Sequence, residues 1–467
     1  MKRILGIRLI TDFHDDTSWL MSSMLRKKIG SIEIHFLGGF DGVGGNLILL
    51  EGKRDKVVLD FGIQFSKLRR YYTWPIRTPT GIEELIDLGI APNIRDLYAC
   101  WDKEGNLAKQ RDTNIQAIFI SHYHLDHCYL LPQANRNITI YMGKTTKIFF
   151  DYYKKIKRRE RKGLWRPNNL DQCIKTFRSY QEIECGEFKV TPIHVDHSSP
   201  GSYGFIVESK DATIAYTGDF RFHGPKKELT SDFIQACKER GIDLLITEGT
   251  NFFDVSSVSE EGVKNQLYEV VSKSEGLILA SFGMKDIDRF RSYYEVAMKN
   301  DRGLLMSYKH LLLLKELKEK DEKLRSTIPD LKSDMITAYY RSIDKRLLNE
   351  LREYNLICVR EDLSKYIDRR KIITSFVEIL QEISLRKVPP DSIAIFSESE
   401  PIDEESQIEF EKIVNWLEHL AIPSYRIHCS GHIYPFQLRS VVKEIKPKDL
   451  EVIHSNYPLV LRKYLLS

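Results

Sequence analysis

With 467 residues, 42% hydrophobic and 29% charged, the chain has the composition of a globular protein with room for two large domains or several ordinary ones. Its 26 glycines and 16 prolines exclude a fibrous or low-complexity chain. A formal net charge of +4 excludes a globally basic surface, so any grip on nucleic acid must come from a local patch. The seven cysteines are dispersed without metal-site spacing, which fits a reducing compartment and points to the cytoplasm. No apolar run approaches the roughly 20 residues of a membrane span. The start, Met1-Lys2-Arg3-Ile4-Leu5, is basic and apolar, but Asp12 to Asp16 interrupt it too early for a secretory signal, and residues 1–29 read as an extension ahead of the fold.

Ile32 to Leu37 alternates like a strand and is followed by a loop rich in glycine, Gly38 to Gly45. That loop lacks the GxxxxGK[ST] pattern and reads as a close-packing turn near the site rather than a phosphate loop. Asn46–Glu51 and Lys56–Asp60 form a hairpin pair, and residues 68–112, with a short helical pattern near Gly81–Leu88, read as an insertion at the site rim. Ile115–Ile120 is an apolar strand, 145–162 a basic helix, and Lys189–Ile193, Gly204–Val207, Thr213–Tyr216 and Leu244–Thr247 are further strands. From about Val258 helical patterns (260–272, 286–299, 308–318, 344–354) alternate with short strands (277–280, 304–307, 356–359, 393–396), predicting a parallel sheet with helices on both faces. After Ser424 a strand, a glycine loop, a helix and a strand follow.

The strand Ile115–Ile120 runs into His122-Tyr123-His124-Leu125-Asp126-His127, three imidazoles and a carboxylate within six residues. On an extended backbone His122 and His124 turn to one cation, while Asp126 and His127 fall toward a second. Mixed nitrogen and oxygen donors suit zinc, with manganese as the alternative. Four local donors do not complete two sites, so distant ones are required. His197, Asp219 and His454 each follow a predicted strand, where sites in α/β folds concentrate. A shared Asp219 would bridge two cations roughly 3.5–4 Å apart.

His122 to His127 matches the HxHxDH signature of the metallo-β-lactamase fold, and Asp60, His197 and Asp219 resemble that superfamily's other motifs. Glu248 in Thr247-Glu248-Gly249-Thr250, His432 in Ser430-Gly431-His432 and His454 in Ile453-His454-Ser455 resemble motifs A, B and C of its β-CASP nuclease branch. The whole of 31–463 is most similar to ribonuclease J and its archaeal relatives. This resemblance implies an α/β fold: an αββα sandwich (30–255 and 425–467) interrupted by an inserted β-CASP domain at 256–424. It also implies that His122, His124 and His197 hold one metal, that Asp126, His127 and His454 hold the other, that Asp219 bridges, and that Asp60 steadies the histidine loop from behind.

The function expected on this basis is a two-metal ribonuclease of RNA processing or decay. It would cut single-stranded RNA to 5′-phosphate and 3′-hydroxyl ends. Asp126 would sit in the catalytic centre, His432 would protonate the leaving oxygen, and Glu248 would hold His432 protonated. The competing readings are a DNA nuclease of the same branch and a catalytically inactive nucleic-acid-binding subunit; a homodimer fits either enzyme. Candidate nucleic-acid contacts are Ser430 and Lys155, Arg158 and Arg159 in the basic run 154–162, with Tyr152, Tyr153 and Trp165 as stacking partners. Arg289, Arg291, Lys309 and Lys315 are weaker candidates.

Overall fold

A computed structural model describes residues 26–72, 78–156, 164, 170–252, 258–399 and 404–467. The first sheet takes its strands in chain order: β1 (Arg26–Ile29), β2 (Ile32–Gly38), β3 (Leu47–Glu51), β4 (Lys56–Leu59), β5 (Ile115–Ile120), β6 (Thr139–Gly143) and β7 (Ile174–Phe177). It is antiparallel from β1 to β4 and parallel from β4 to β7. Strand β1 pairs with β2 from Arg26 to Ile29, so pairing begins inside the stretch read from sequence as an extension. Strand β5 (IQAIFI) is a near-continuous apolar run because it lies inside the sheet with both faces covered.

The second sheet contains β8 (Ile183–Cys185), β9 (Phe188–Val195), β10 (Ser202–Glu208), β11 (Thr213–Tyr216) and β12 (Leu244–Glu248). Its apolar face packs on the first sheet through Phe36, Phe119, Phe205, Tyr216 and Ile246. Its other face is covered by helices Lys227–Arg240, Pro435–Ile445 and Pro458–Leu466. Residues 82–98, expected at the site rim, instead belong to the packed layer over the first sheet. Leu85 and Leu97 are fully buried, and Tyr98 stacks on Phe61 at 5.9 Å.

After β12 the chain leaves the sandwich and builds a third sheet from β13 (Ile278–Ser281), β14 (Gly303–Ser307), β15 (Ile336–Tyr340), β16 (Leu356–Cys358), β17 (Lys371–Thr374), β18 (Ile393–Phe396) and β19 (Ser424–Arg426). All its pairings are parallel, in the order β16-β15-β14-β17-β13-β18-β19, with helices on both faces. The chain then returns as β20 (Asp449–Ile453), parallel to β12 with Ile453 beside Glu248.

Cap and sandwich are joined by a buried charge network. Arg221, fully buried, donates to Asp196 (3.3 Å), Glu260 (3.0 Å) and Asp288 (3.0 Å). Glu260 also accepts from Arg289 at 3.2 and 2.9 Å, and Arg289 donates to the carbonyl oxygens of Ser397 and Cys429. Arg289, considered from sequence as a substrate contact, is therefore a buried structural cation. Removing one partner of such a network strands a charge in the interior, at a cost of about 3 kcal/mol or more. Glu260→Gln is expected to lower the urea midpoint of unfolding accordingly; an unchanged midpoint would show that the network adds nothing to stability.

Candidate metal centre

Strands β4, β5, β11, β12 and β20 all end at one edge of the sandwich, and their following loops carry the polar residues singled out in the sequence. Asp60 follows β4 with φ 60°, a left-handed conformation uncommon outside glycine and frequent at functional sites. It is fully buried, and its carboxylate accepts four hydrogen bonds: from Ser121 N (2.7 Å), Ser121 Oγ (2.9 Å), His127 Nδ1 (2.7 Å) and Tyr216 OH (2.7 Å). Nδ1 of His127 donates to Asp60 and its Nε2 faces inward; burial opposes a charge on this ring, but the Asp219, Asp60 and Asp126 carboxylates prevail and raise it well above the ordinary histidine value. Ser121 Oγ gives its hydrogen to Asp60 and so accepts from His122 Nδ1 at 3.0 Å, which fixes that ring in the Nδ1–H tautomer. His197 Nδ1 donates to the Gly431 carbonyl at 2.6 Å, leaving its Nε2 bare.

Two donor groups result. His122, His124, His197 and Asp219 each place a ligand atom within 4.8 Å of the others, as do Asp126, His127, Asp219 and His454. Asp219 belongs to both. Nε2 of His122 and Nε2 of His197 lie 2.9 and 3.2 Å from Nδ1 of His124. A tetrahedral zinc with Zn–N of about 2.0–2.1 Å would set its nitrogens about 3.3 Å apart, close to this spacing. In the second group His454 Nε2 lies 3.0 Å from Asp126 Oδ2, and His127 Nε2 lies 3.1 Å from Asp219 Oδ2. His127 Nε2 and Asp219 Oδ1 are buried polar atoms without hydrogen-bond partners. Converging lone pairs and orphaned buried donor atoms are the pattern that divalent cations complete, so these residues fit a two-metal centre.

Burial holds the imidazoles of His122 and His124 well below the ordinary histidine value. For His122 the neighbouring His127 and His124 add to the effect, and for His124 the neighbouring His197 and Lys285 do. Burial likewise takes His197 down to about 3. All three are therefore neutral, as ligation requires. Burial also disfavours charge on Asp219, but His127, His454 and His432 outweigh it and keep the carboxylate ionised.

Backbone fit keeps the loops together. His454, with φ 52°, donates its N–H to the Gly39 carbonyl at 2.6 Å, and Asn46 N donates to the Asp126 carbonyl at 2.9 Å. A Cβ on Gly62 would stand 1.6 Å from the Asp126 carbonyl oxygen, so no larger residue fits there.

Beside the second group stands the pair Glu248 and His432. Glu248 Oε2 lies 2.9 Å from His432 Nδ1, and Oε1 accepts from Phe220 N at 3.1 Å. Burial opposes a charged His432, but Glu248 and Asp219 prevail and raise it to about 9. Thr250 Oγ1 ties the cluster together, at 2.7 Å from Glu248 Oε2, 3.2 Å from His432 Nδ1 and 2.9 Å from His454 Nδ1. Thr250, Ser121, Tyr216 and the Gly431 carbonyl were not identified from sequence. A hydroxyl two residues after Glu248 and one residue before His122 is the only local signal, and Tyr216 and Gly431 reach their partners across the fold.

The expected nucleic-acid contacts fare differently. Ser430 is buried; its Oγ accepts from His432 N at 3.1 Å and its carbonyl accepts from His223 Nε2 at 2.8 Å. Lys155 pairs with Glu316 (2.6 Å) and Glu350 (2.5 Å) of the cap, which makes it an interdomain tie. Tyr152 is buried with its hydroxyl on the Lys309 carbonyl at 2.8 Å, so it is not a stacking platform for bases. Arg158, Arg159 and Trp165 lie outside the described residues.

A β-lactamase superfamily domain matches residues 99–260. That match takes in His122, His124, Asp126, His127, His197 and Asp219. Over 92% of its length it is similar to the ribonucleases J of Helicobacter pylori (24% identity, 57% of that protein), Mycoplasma genitalium (21%, 68%) and Mycobacterium tuberculosis (22%, 70%). It thus spans little more than half the length of the Helicobacter protein. A crystal structure of a protein of unknown function from Enterococcus faecalis has the same fold, with a TM-score of 0.69 and 22% identity over 91% of this chain and 95% of that one.

Asp60 orients the donor loop without being a donor, so Asp60→Asn is expected to weaken divalent-metal affinity about 10- to 100-fold. Competition titration against a chromogenic chelator measures this, and wild-type affinity in the variant would refute the role.

Proposed function

We propose that the chain is a metal-dependent ribonuclease that hydrolyses single-stranded RNA in the cytoplasm and leaves 5′-phosphate and 3′-hydroxyl ends. The observation that carries this reading is the Glu248–His432 pair at 2.9 Å, next to a donor set built for two cations. A bare hydrolytic metal centre has no need of a buried acid held in charge, whereas expulsion of a nucleotide 3′-oxygen requires a proton. Similarity to ribonucleases J along most of the chain supports the choice of RNA.

His122, His124 and His197 would hold one cation, and Asp126, His127 and His454 the other, with Asp219 shared. When bound, the pair supplies Lewis acidity to the phosphoryl oxygens and lowers the pKa of an attacking water. The nitrogen-rich donors favour zinc, with manganese as the alternative. Asp60, Ser121 and Gly431 fix the tautomers of the donor imidazoles. His432 keeps a proton beside the donors for the leaving 3′-oxygen. Glu248 both orients that ring and stabilises its charged form, while Thr250 limits its movement. The acid is effective while His432 is protonated, so activity should persist through neutral pH and decline as pH rises past about 9.

Two measurements test the reading. End-labelled RNA and DNA oligonucleotides incubated with zinc or manganese should yield RNA products with 5′-phosphates, and a chelator should abolish cleavage; cleavage of DNA alone would replace the assignment with a DNA nuclease. Glu248→Gln removes the negative partner, lowers the His432 pKa and should move the alkaline limb of single-turnover cleavage to lower pH. His432→Ala should slow cleavage at least about 100-fold with metal content retained. An unshifted limb together with full His432→Ala activity would remove His432 from the reaction.

A further inference from the structure

Lys285 lies in the turn Phe282–Asp286, which follows cap strand β13. The turn is fixed at both ends: Asp286 N donates to the Gly283 carbonyl at 2.9 Å, and Asp286 caps helix Ile287–Lys299 by accepting from Arg289 N at 3.0 Å. From this turn the half-buried lysine reaches the metal loop. Its Nζ donates to the Tyr123 carbonyl at 2.8 Å, between His122 and His124, and lies 5.1 Å from the centre of the Tyr123 ring.

Among the described residues no carboxylate forms an ion pair with Lys285, and the Tyr123 carbonyl is its only hydrogen-bond acceptor. Other lysines at the cap–sandwich contact are satisfied differently: Lys155 takes Glu316 and Glu350, and Lys226 takes Asp288. An ammonium withdrawn from water with one neutral acceptor and an aromatic face is under-compensated, and it persists where an anion or solvent completes it. Burial pushes the Lys285 ammonium below the ordinary lysine range, with Cys128 and Asp126 acting against that shift, which is the direction expected of a cation short of partners.

We propose that Lys285 is a phosphate-binding residue of this centre, brought to the metal loop by the cap, where its ammonium takes an oxygen of a backbone phosphate next to His124. The assignment rests on the nuclease reading above. Engaging Tyr123 and the phosphate together, one side chain would link substrate binding to the seating of the cap on the donor loop.

The test compares wild-type full-length holoprotein with Lys285→Met, which keeps the apolar stem, and Lys285→Arg, which keeps the charge. Affinity for a short phosphorothioate-backbone RNA is measured across a salt series, alongside metal content and melting temperature. Lys285→Met is expected to bind roughly tenfold more weakly, the equivalent of one charge-assisted hydrogen bond. It should also flatten the slope of log affinity against log salt by about 0.7, with metal content at the wild-type level. Lys285→Arg should restore the slope. Unchanged affinity and slope in Lys285→Met would overturn the assignment alone. Loss of metal in that variant would overturn it in favour of a tie that only positions the loop. A wild-type protein that binds neither RNA nor DNA would overturn the nuclease reading and this assignment with it.

Discussion

Strand β20 runs parallel to β12 with Ile453 beside Glu248, and in that register residues from the two ends of the sandwich meet at one sheet edge. His454, one residue past β20, is thereby carried to within 3.0 Å of Asp126, which sits in the loop after β5 on the other sheet. Parallel strands put their C-terminal ends at the same edge, so each loop that follows delivers its polar residues to a common place. A slip of one residue in β20 would turn His454 away from the donors and Ile453 out of the core between the sheets. The apolar packing that fixes the register therefore also fixes how these side chains converge.

Electrostatics and hydrogen bonding within the centre complement each other. Burial makes charge expensive for every group, yet Asp60 receives four hydrogen bonds and Asp219 has protonatable imidazoles around it. The imidazoles of His122, His124 and His197 instead stay neutral, so one half of the centre offers lone pairs and the other offers negative charge. His127 and His432 behave differently: burial opposes their charge, but neighbouring carboxylates prevail and raise both above the ordinary histidine value. With Glu248 within hydrogen-bond distance His432 is held in the charged form, beside imidazoles of His122, His124 and His197 that stay neutral. Environment assigns these roles, since the residue type is the same.

The donors were legible in the sequence because each stands at a strand end in a distinctive local pattern, and the alternation of strand and helix from Val258 onward anticipated the parallel third sheet. The supporting atoms were not legible. Tyr216 reaches Asp60 and Gly431 reaches His197 through contacts 156 and 234 residues apart, and a backbone carbonyl leaves no trace in residue identity. Charge misled in the same way. Arg289 resembles any surface arginine on a helix until Glu260 and the Cys429 carbonyl are placed around it, and Lys155 looks available until Glu316 and Glu350 arrive from the cap. Strands β15 and β17 were not among the strands read from the sequence.

An insertion as large as the cap is tolerable because its ends are close together. The chain departs after Glu248 and has returned by His432, and those two residues touch although 184 positions separate them. Closing a loop of that length costs only about 5 kcal/mol of chain entropy, and a further doubling would add little. A buried network joins Asp196 and Arg221 of the sandwich to Glu260, Asp288 and Arg289 of the cap, so the inserted domain is held at its base by paired charges. It also borders the chemistry, because Asp196 precedes His197, Arg221 follows Asp219 by two residues, and Arg289 holds the Cys429 carbonyl just before Ser430. The same contacts that hold the inserted domain to the sandwich therefore bear on the positions of His197 and of the loop that carries His432, so a badly seated cap would disturb both.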